Sequence, residues 1–178
     1  MLRKLGLALL AGVAVLAALL LYAASRPDTF RVERSARIAA PAEEIFPMIE
    51  DFHRWGPWSP YEKRDPAMKR SYAGPPRGPG AVYAWEGNRD IGKGRMEIAE
   101  SSPPSRVTLK LDFSEPFEAH NTVVFTLVPE GDSTRVTWAM DGRNAFVSKL
   151  LGLFLDMDDM IGRDFEAGLA NLKSLAEQ

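Results

Sequence analysis

With 24 acidic and 22 basic side chains among 178 residues, a net charge of −2 and no cysteine, the chain excludes disulfides, thiolate metal sites, a cysteine nucleophile and a lipidated N-terminal cysteine. Setting aside residues 1–26 removes Arg3, Lys4 and Arg26 and leaves 19 basic against 24 acidic side chains. That balance argues against a nucleic-acid partner, because phosphate contacts need a basic patch.

Residues 5–24 form an unbroken apolar run of 20 residues preceded by Arg3 and Lys4. At ~1.5 Å per residue a helix of that length spans ~30 Å, the hydrocarbon thickness of a bilayer. A secretory signal core is usually ~7–15 residues. The best cleavage candidate, Ala23-Ala24-Ser25, is followed by Arg26-Pro27. The expectation is therefore an uncleaved transmembrane anchor over residues 1–26, with a soluble domain over 27–178 of ordinary single-domain length. Arg26, Arg31, Arg34 and Arg37 compete with Arg3 and Lys4 under the positive-inside rule. The orientation adopted puts the N-terminus inside and the domain outside the cytoplasm, in the periplasm.

From Phe30 the pattern alternates, with Phe30, Val32, Ser35/Ala36 and Ile38 interleaved with Arg31, Glu33, Arg34 and Arg37, which predicts a first strand. Pro41 with Glu43 and Glu44 marks a helix start, so a helix is expected over 41–50, kinked or broken at Pro47. Residues 51–60, with Trp55 and Trp58 among glycine and prolines, predict a brief helical turn and then a loop. Strands are expected at 69–72, 81–86, 92–100, 106–113, 118–128 and 134–141, separated by turn residues such as Gly74-Pro75-Pro76 and Glu130-Gly131-Asp132. Short connections imply an antiparallel meander. Val107, Leu109, Leu111 and Phe113 share one face and Arg106, Thr108, Lys110 and Asp112 the other, so the sheet is buried on one side.

After Asn144 the period becomes 3.6, with Phe146, Leu150, Phe154, Met157, Ile161, Phe165, Leu169, Leu172 and Ala176 on one stripe. One long C-terminal helix is expected, with Asp156, Asp158, Asp159, Arg163, Asp164 and Glu166 mostly on its solvated side. The fold class is α+β, one helix packed across a curved antiparallel sheet.

The strand ending Ala39-Ala40-Pro41, then Glu43-Glu44-Ile45-Phe46, then Asp51 with Trp55, Trp58, Ser59 and Pro60 resembles the START/Bet v1-like (SRPBCC) superfamily, in particular its bacterial polyketide cyclase/dehydrase and lipid-transport group. The similarity covers about residues 30–176. It implies a helix-grip fold, a seven-stranded sheet curled around the long helix with a cavity between them. It is specific for fold and weak for activity, since members include lipid and sterol carriers, quinone-binding proteins, aromatic cyclases, receptors and chaperone activators.

Alternation supplies the lining of such a cavity: Met96, Ile98, Val107, Leu109, Leu111, Phe113, Val123, Phe125, Val136, Trp138 and Met140 from the sheet, facing Leu150, Phe154, Met157, Ile161 and Phe165. Tyr83 and Trp85 share a face whose direction the pattern leaves open. Large apolar pockets are lined in this way; the same side chains also suit a solid core. Asn121 lies on the face of Val123 and Phe125 and needs a partner if buried, either a ligand group or neighbouring backbone. Met96, Met140, Met157 and Met160 suit an adaptable pocket or ordinary packing. Trp55 and Trp58 suit a pocket entrance or the capping of the small helices against the sheet.

His53 and His120 lack metal-motif spacing. His120 is expected to face solvent and His53 to sit in the tryptophan loop. Asp156, Asp158 and Asp159 lack the glycine and terminal glutamate of a calcium loop. The pairs Gly78/Gly80 and Gly92/Gly94 lack the context of a phosphate loop. No serine sits in a nucleophile elbow. No metal or cofactor is expected. Asn121, Tyr83 and Glu86 are the weak candidates for a cyclase or dehydratase. The leading expectation is a membrane-anchored binding protein for a small hydrophobic molecule such as a lipid, a quinone or a polyketide-like compound. The alternatives are a cyclase-type enzyme and a protein-interaction module with a filled core. No protein partner is legible.

Overall fold

The computed structural model describes residues 2–154 and 156–178, without the side chains of Leu2, Leu5 and Ala8. Helix α1 (Leu2–Ser25) precedes β1 (Thr29–Ile38) and α2 (Ala42–Glu50). Strands β2 (Lys69–Ala73), β3 (Val82–Glu86), β4 (Lys93–Ser102), β5 (Arg106–Glu115), β6 (Ala119–Glu130) and β7 (Ser133–Arg143) follow, and α3 (Phe146–Leu151) and α4 (Met157–Ala176) end the chain. Short turns make β2 to β7 a meander. The first strand then closes on the last, giving one antiparallel sheet of seven strands in the order β1-β7-β6-β5-β4-β3-β2.

Register aligns side chains into rows on the face that α4 covers, because residues directly opposite in antiparallel strands point the same way. One row runs Phe30, Gly142, Asn121, Leu111, Met96, Tyr83 and Tyr72 across all seven strands. The next contains Val32, Met140, Val123, Leu109 and Ile98, and the third Arg34, Trp138, Phe125 and Val107. Tyr83 and Trp85, whose direction alternation left open, point inward and are buried.

The same register defines two ends. The base carries the start of β1, the end of β7 and the β5–β6 connection; α1 joins there through residues 26–28 and α3 follows directly. The far end carries the β6–β7 hairpin. The terminus of α4 is tied there, since Glu177 accepts from the Ala39 amide at 2.6 Å and Lys173 Nζ donates to the Arg37 carbonyl at 3.0 Å.

A membrane-spanning helix is not supported by the described residues, and three further expectations are corrected. Among the described residues, no helix is long and apolar enough to cross a membrane. The side chains of α1 are described without interruption only over residues 9–25, and those of Leu5 and Ala8 in the apolar run lie outside the described set. The single C-terminal helix is two. After α3 the backbone of Gly152 leaves the helix, and Asp156 restarts it as an N-cap accepting from the Asp159 amide at 3.0 Å, where Asp158 and Asp159 suit the positive end of the helix dipole. Pro47 sits within one continuous α2 as the sixth of its nine residues, where it forfeits a single intrahelical bond, the one to the Glu43 carbonyl. Arg34, expected outward on β1, turns toward α4 and pairs with Asp158 and Glu166, both at 2.9 Å, while the two acids keep their place on the exposed side of α4.

Candidate functional site

The space between sheet and α4 divides into a filled far half and an open base. In the far half Trp138 stacks on Phe165 with ring centroids 4.2 Å apart and planes 9° from parallel, and it meets Phe125 at 4.9 Å and Trp58 at 5.8 Å. Trp58, Phe125 and Phe165 are fully buried. The two loop tryptophans have a structural task here. The indole N–H of Trp58 donates to the Met48 carbonyl at 3.0 Å and that of Trp55 to the Ile49 carbonyl at 2.9 Å, satisfying carbonyls left open at the end of α2. Asn171 of α4 donates to the Trp58 carbonyl at 3.1 Å. The interior is thus plugged at this end by its own aromatic side chains.

Toward the base the packing opens. Phe30, Met96, Phe113, Asn121 and Ile161 are half-buried, while Trp85, Leu111 and Met140 are only slightly exposed. Trp85 meets Phe113 edge to face at 5.6 Å. Gly142 sits in the row between Phe30 and Asn121, and a Cβ there would lie 2.1 Å from Asn121 Oδ1 and 2.6 Å from the Phe30 ring. Glycine lets the carboxamide and the ring close over the strand. The Asn121 amide enters no side-chain hydrogen bond among the described residues, so it keeps both donors and acceptor for another partner.

At this end lies a cavity of about 480 Å³, walled by Phe30, Leu153, Phe154, Met157 and Ile161 and by the polar groups of Arg26, Arg143, Asn144, Ser148, Lys149, Asp156 and Asp158. Small-molecule pockets are typically ~300–1,000 Å³. A second cleft at the far end, beside Phe52, His53, Tyr72 and Pro75, holds about 250 Å³ and falls below that range. Buried Lys149 donates to Asp28 at 2.5 Å. This hydrogen bond, and then the lysine charge, hold the Asp28 carboxyl below its ordinary value. The Asn144 amide donates to the Asp28 carbonyl at 2.7 Å, so the segment leaving α1 is pinned to the cavity wall.

Of the expected site residues, Phe154, Met157 and Ile161 line the cavity, while Trp85, Met96, Leu111, Phe113, Asn121 and Met140 lie on the inward face of the sheet toward the base without lining it. Leu109 and Val123 lie in the middle row, and Trp55, Trp58, Phe125 and Trp138 in the packed far half. Phe154 and Met157, expected to face the sheet, stand on the outer rim, 75% and 41% exposed, because the break before α4 rotates them off the stripe. Phe30, Arg143 and Lys149 were not singled out. Gly142 inside a strand was the available signal of a close approach; nothing in the local pattern marks Lys149.

The acid–base candidates are not assembled. Tyr83 donates to Glu62 at 2.5 Å, and Glu62 accepts from Arg70 at 2.7 Å. Burial first, and then the Glu62 bond, push the Tyr83 phenol above its ordinary value. Glu86 is exposed between Lys69 and Lys93, at 3.7 and 3.8 Å. Tyr83 and Asn121 stand three strands apart in one row, about 14 Å at the usual spacing of ~4.8 Å, too far to act on one bond. His120 is exposed and bonded to Asp112 at 2.7 Å, which raises its pKa. His53 is bonded to Asp51 at 3.0 Å and stacked on Tyr72 at 4.2 Å. Among the described residues no cluster suits a metal ion.

Residues 29–177 match the family model described as polyketide cyclase / dehydrase and lipid transport. Solved structures with this fold include a protein from Thermobifida fusca, with a TM-score of 0.64 and 20% identity over 82% of this chain and 92% of that one. The Aha1 dimer from Colwellia psychrerythraea matches with a TM-score of 0.59 and 14% identity over 83% of this chain and 96% of that one. DynU16, a protein of the dynemicin biosynthetic locus, matches with a TM-score of 0.58 and 18% identity over 86% of this chain, which spans 48% of DynU16. No curated protein matches the chain.

Proposed function

From the premise that the chain belongs to the polyketide cyclase / dehydrase and lipid transport family, we propose that it binds a small hydrophobic or amphipathic molecule and is held at a membrane by α1. The cavity of about 480 Å³ at the base carries this reading. An apolar tail would lie along Phe30, Leu153 and Ile161 of the cavity wall, where burial yields ~25 cal/mol per Å² removed from water, and a polar end would meet the charged wall or reach Asn121, which sits beside Phe30 over Gly142. A carrier is favoured over a cyclase because the Tyr83 phenol is taken up by Glu62 and Glu86 points away from the cavity.

The anchor is supported by the apolar run of 20 residues in the sequence and by the exposure of Leu9, Leu10, Val13, Val15, Leu16 and Leu21, which find no apolar cover among the described residues. Exposed apolar surface on this scale marks a partner or a bilayer. With the N-terminus in the cytoplasm, the domain lies on the periplasmic side.

The full chain, purified in mild detergent, is extracted with organic solvent and compared by mass spectrometry with its Ile161→Trp and Asn121→Leu variants. A lipid, quinone or similar compound enriched over the detergent background in the parent, and depleted in folded variants, is the expected result. Identical extracts from all three proteins refute a ligand at this site.

A further inference from the structure

We infer that the corner between α3 and α4 is a second lipid-contacting surface, which seats the base of the domain on the bilayer with Phe154 among the acyl chains. This rests on the reading that α1 is held in a membrane.

Val147 and Leu151 share one face of α3 by their spacing of four residues, Phe154 follows in the connection, and Met157 and Met160 continue on the first turn of α4. These are 60%, 47%, 75%, 41% and 52% exposed. So dense an apolar surface within fourteen residues of chain is not the scattered exposure usual on a soluble protein. Phe117, 74% exposed in the β5–β6 connection, stands at the same end of the sheet.

What covers this surface follows from α1. Only residues 26–28 separate that helix from β1, and the segment is fastened to α3 by the Lys149–Asp28 pair and the Asn144–Asp28 backbone bond. Ala23, in the last turn of α1, is fully buried, and α1 packs on α3. A bilayer holding α1 therefore meets α3 and Phe154 at its surface. Of the neighbouring charges, Asp158 and Glu166 are engaged by Arg34, Asp159 by Arg163 and Lys149 by Asp28, while Arg26 and Arg143 beside them enter no ion pair among the described residues. Apolar insertion is what the exposed side chains offer and the two arginines can only add to it on anionic lipid, so contact with neutral phosphatidylcholine should suffice and salt should not release it.

The chain has no cysteine, so single substitutions give unique labelling sites. The full chain, reconstituted in phosphatidylcholine vesicles, carries an environment-sensitive fluorophore at Phe154→Cys, at Val147→Cys as a second position on the patch, at Leu10→Cys in α1, or at Asp132→Cys in the far hairpin. Doxyl-labelled phosphatidylcholine should quench most of the emission from positions 154, 147 and 10 and leave position 132 bright, in low and high salt alike. Quenching at 10 with none at 154 and 147 overturns the inference and leaves the anchor standing; no quenching at 10 removes the anchor and the inference with it. Disulfide-linked pairs forming on oxidation of the unlabelled Phe154→Cys chain, with no lipid quenching of the labelled one, would assign the patch to a second copy of the chain and also overturn it.

Discussion

The guanidinium of Arg34 lies across the α-carbon of Gly162, held between Glu166 and Asp158 at 2.9 Å from each. Asp158, Gly162 and Glu166 are spaced at four residues and share one side of α4, so the helix offers two carboxylates with a gap between them. A Cβ at 162 would sit 2.0 Å from Arg34 Nη2. Gly162→Ala should therefore push the flexible end of the arginine out from between its two exposed carboxylates and lower stability only slightly, by up to ~1 kcal/mol, because alanine is the better helix former. A fall in the urea midpoint checks this; an unchanged or raised midpoint means that the arginine moves aside freely.

Trp138 is 3% exposed, and its indole N–H is the one buried side-chain polar atom without a partner among the described residues. Leaving a buried donor unsatisfied costs ~1–3 kcal/mol, and phenylalanine removes the donor while keeping an aromatic ring against Phe165. Trp138→Phe should stay within ~1 kcal/mol of the parent, whereas Trp138→Ala should lose ~3–5 kcal/mol. Equal losses in chemical denaturation would mean that the N–H has a partner after all.

Asn121→Leu tests orientation rather than stability. The amide is half-buried and enters no side-chain bond, so its removal should shift the melting transition by the equivalent of less than ~1 kcal/mol while changing which amphiphiles are retained. Gly142→Ala should have a similar effect on retention, because its Cβ would strike Asn121 Oδ1 and Phe30. A large loss of stability in Asn121→Leu would assign the amide to the fold instead.

The phenols of Tyr61, Tyr72 and Tyr83 are raised above the ordinary value near 10, in each case first by burial. A raised folded-state pKa means that the folded protein keeps its proton where the unfolded chain has lost it. The corresponding stability is fully present below pH ~10 and is lost as pH rises above it. Absorbance near 295 nm should show the Tyr61 and Tyr83 phenolates forming only with unfolding, and Tyr83→Phe should make the alkaline transition less steep. Ordinary titration of all the phenols in the folded state would contradict this.

Strand positions and the α4 stripe were legible because they depend on local physics: alternation places Val107, Leu109 and Leu111 on one face, and Gly131 with Asp132 turns the last hairpin whatever lies elsewhere. Resemblance in the Pro41 to Pro60 segment pointed to the family that the model match over residues 29–177 shows. Beside the site, Leu111, Met96 and Asn121 could be read from the same alternation. The break at Gly152 could not, since Phe146, Leu150, Phe154 and Met157 keep a helical period across it.

The alternation of apolar and polar residues along the chain was enough to settle the order of elements and the buried side of the sheet, since each depends on residues a few positions apart. Whether the space beneath α4 is open or full depended on contacts between residues far apart in the chain, such as Trp58 with Trp138 and Arg34 with Asp158. Side-chain volume and charge across such distances are summed only when the chain is folded, and that sum filled the far half and left the base open.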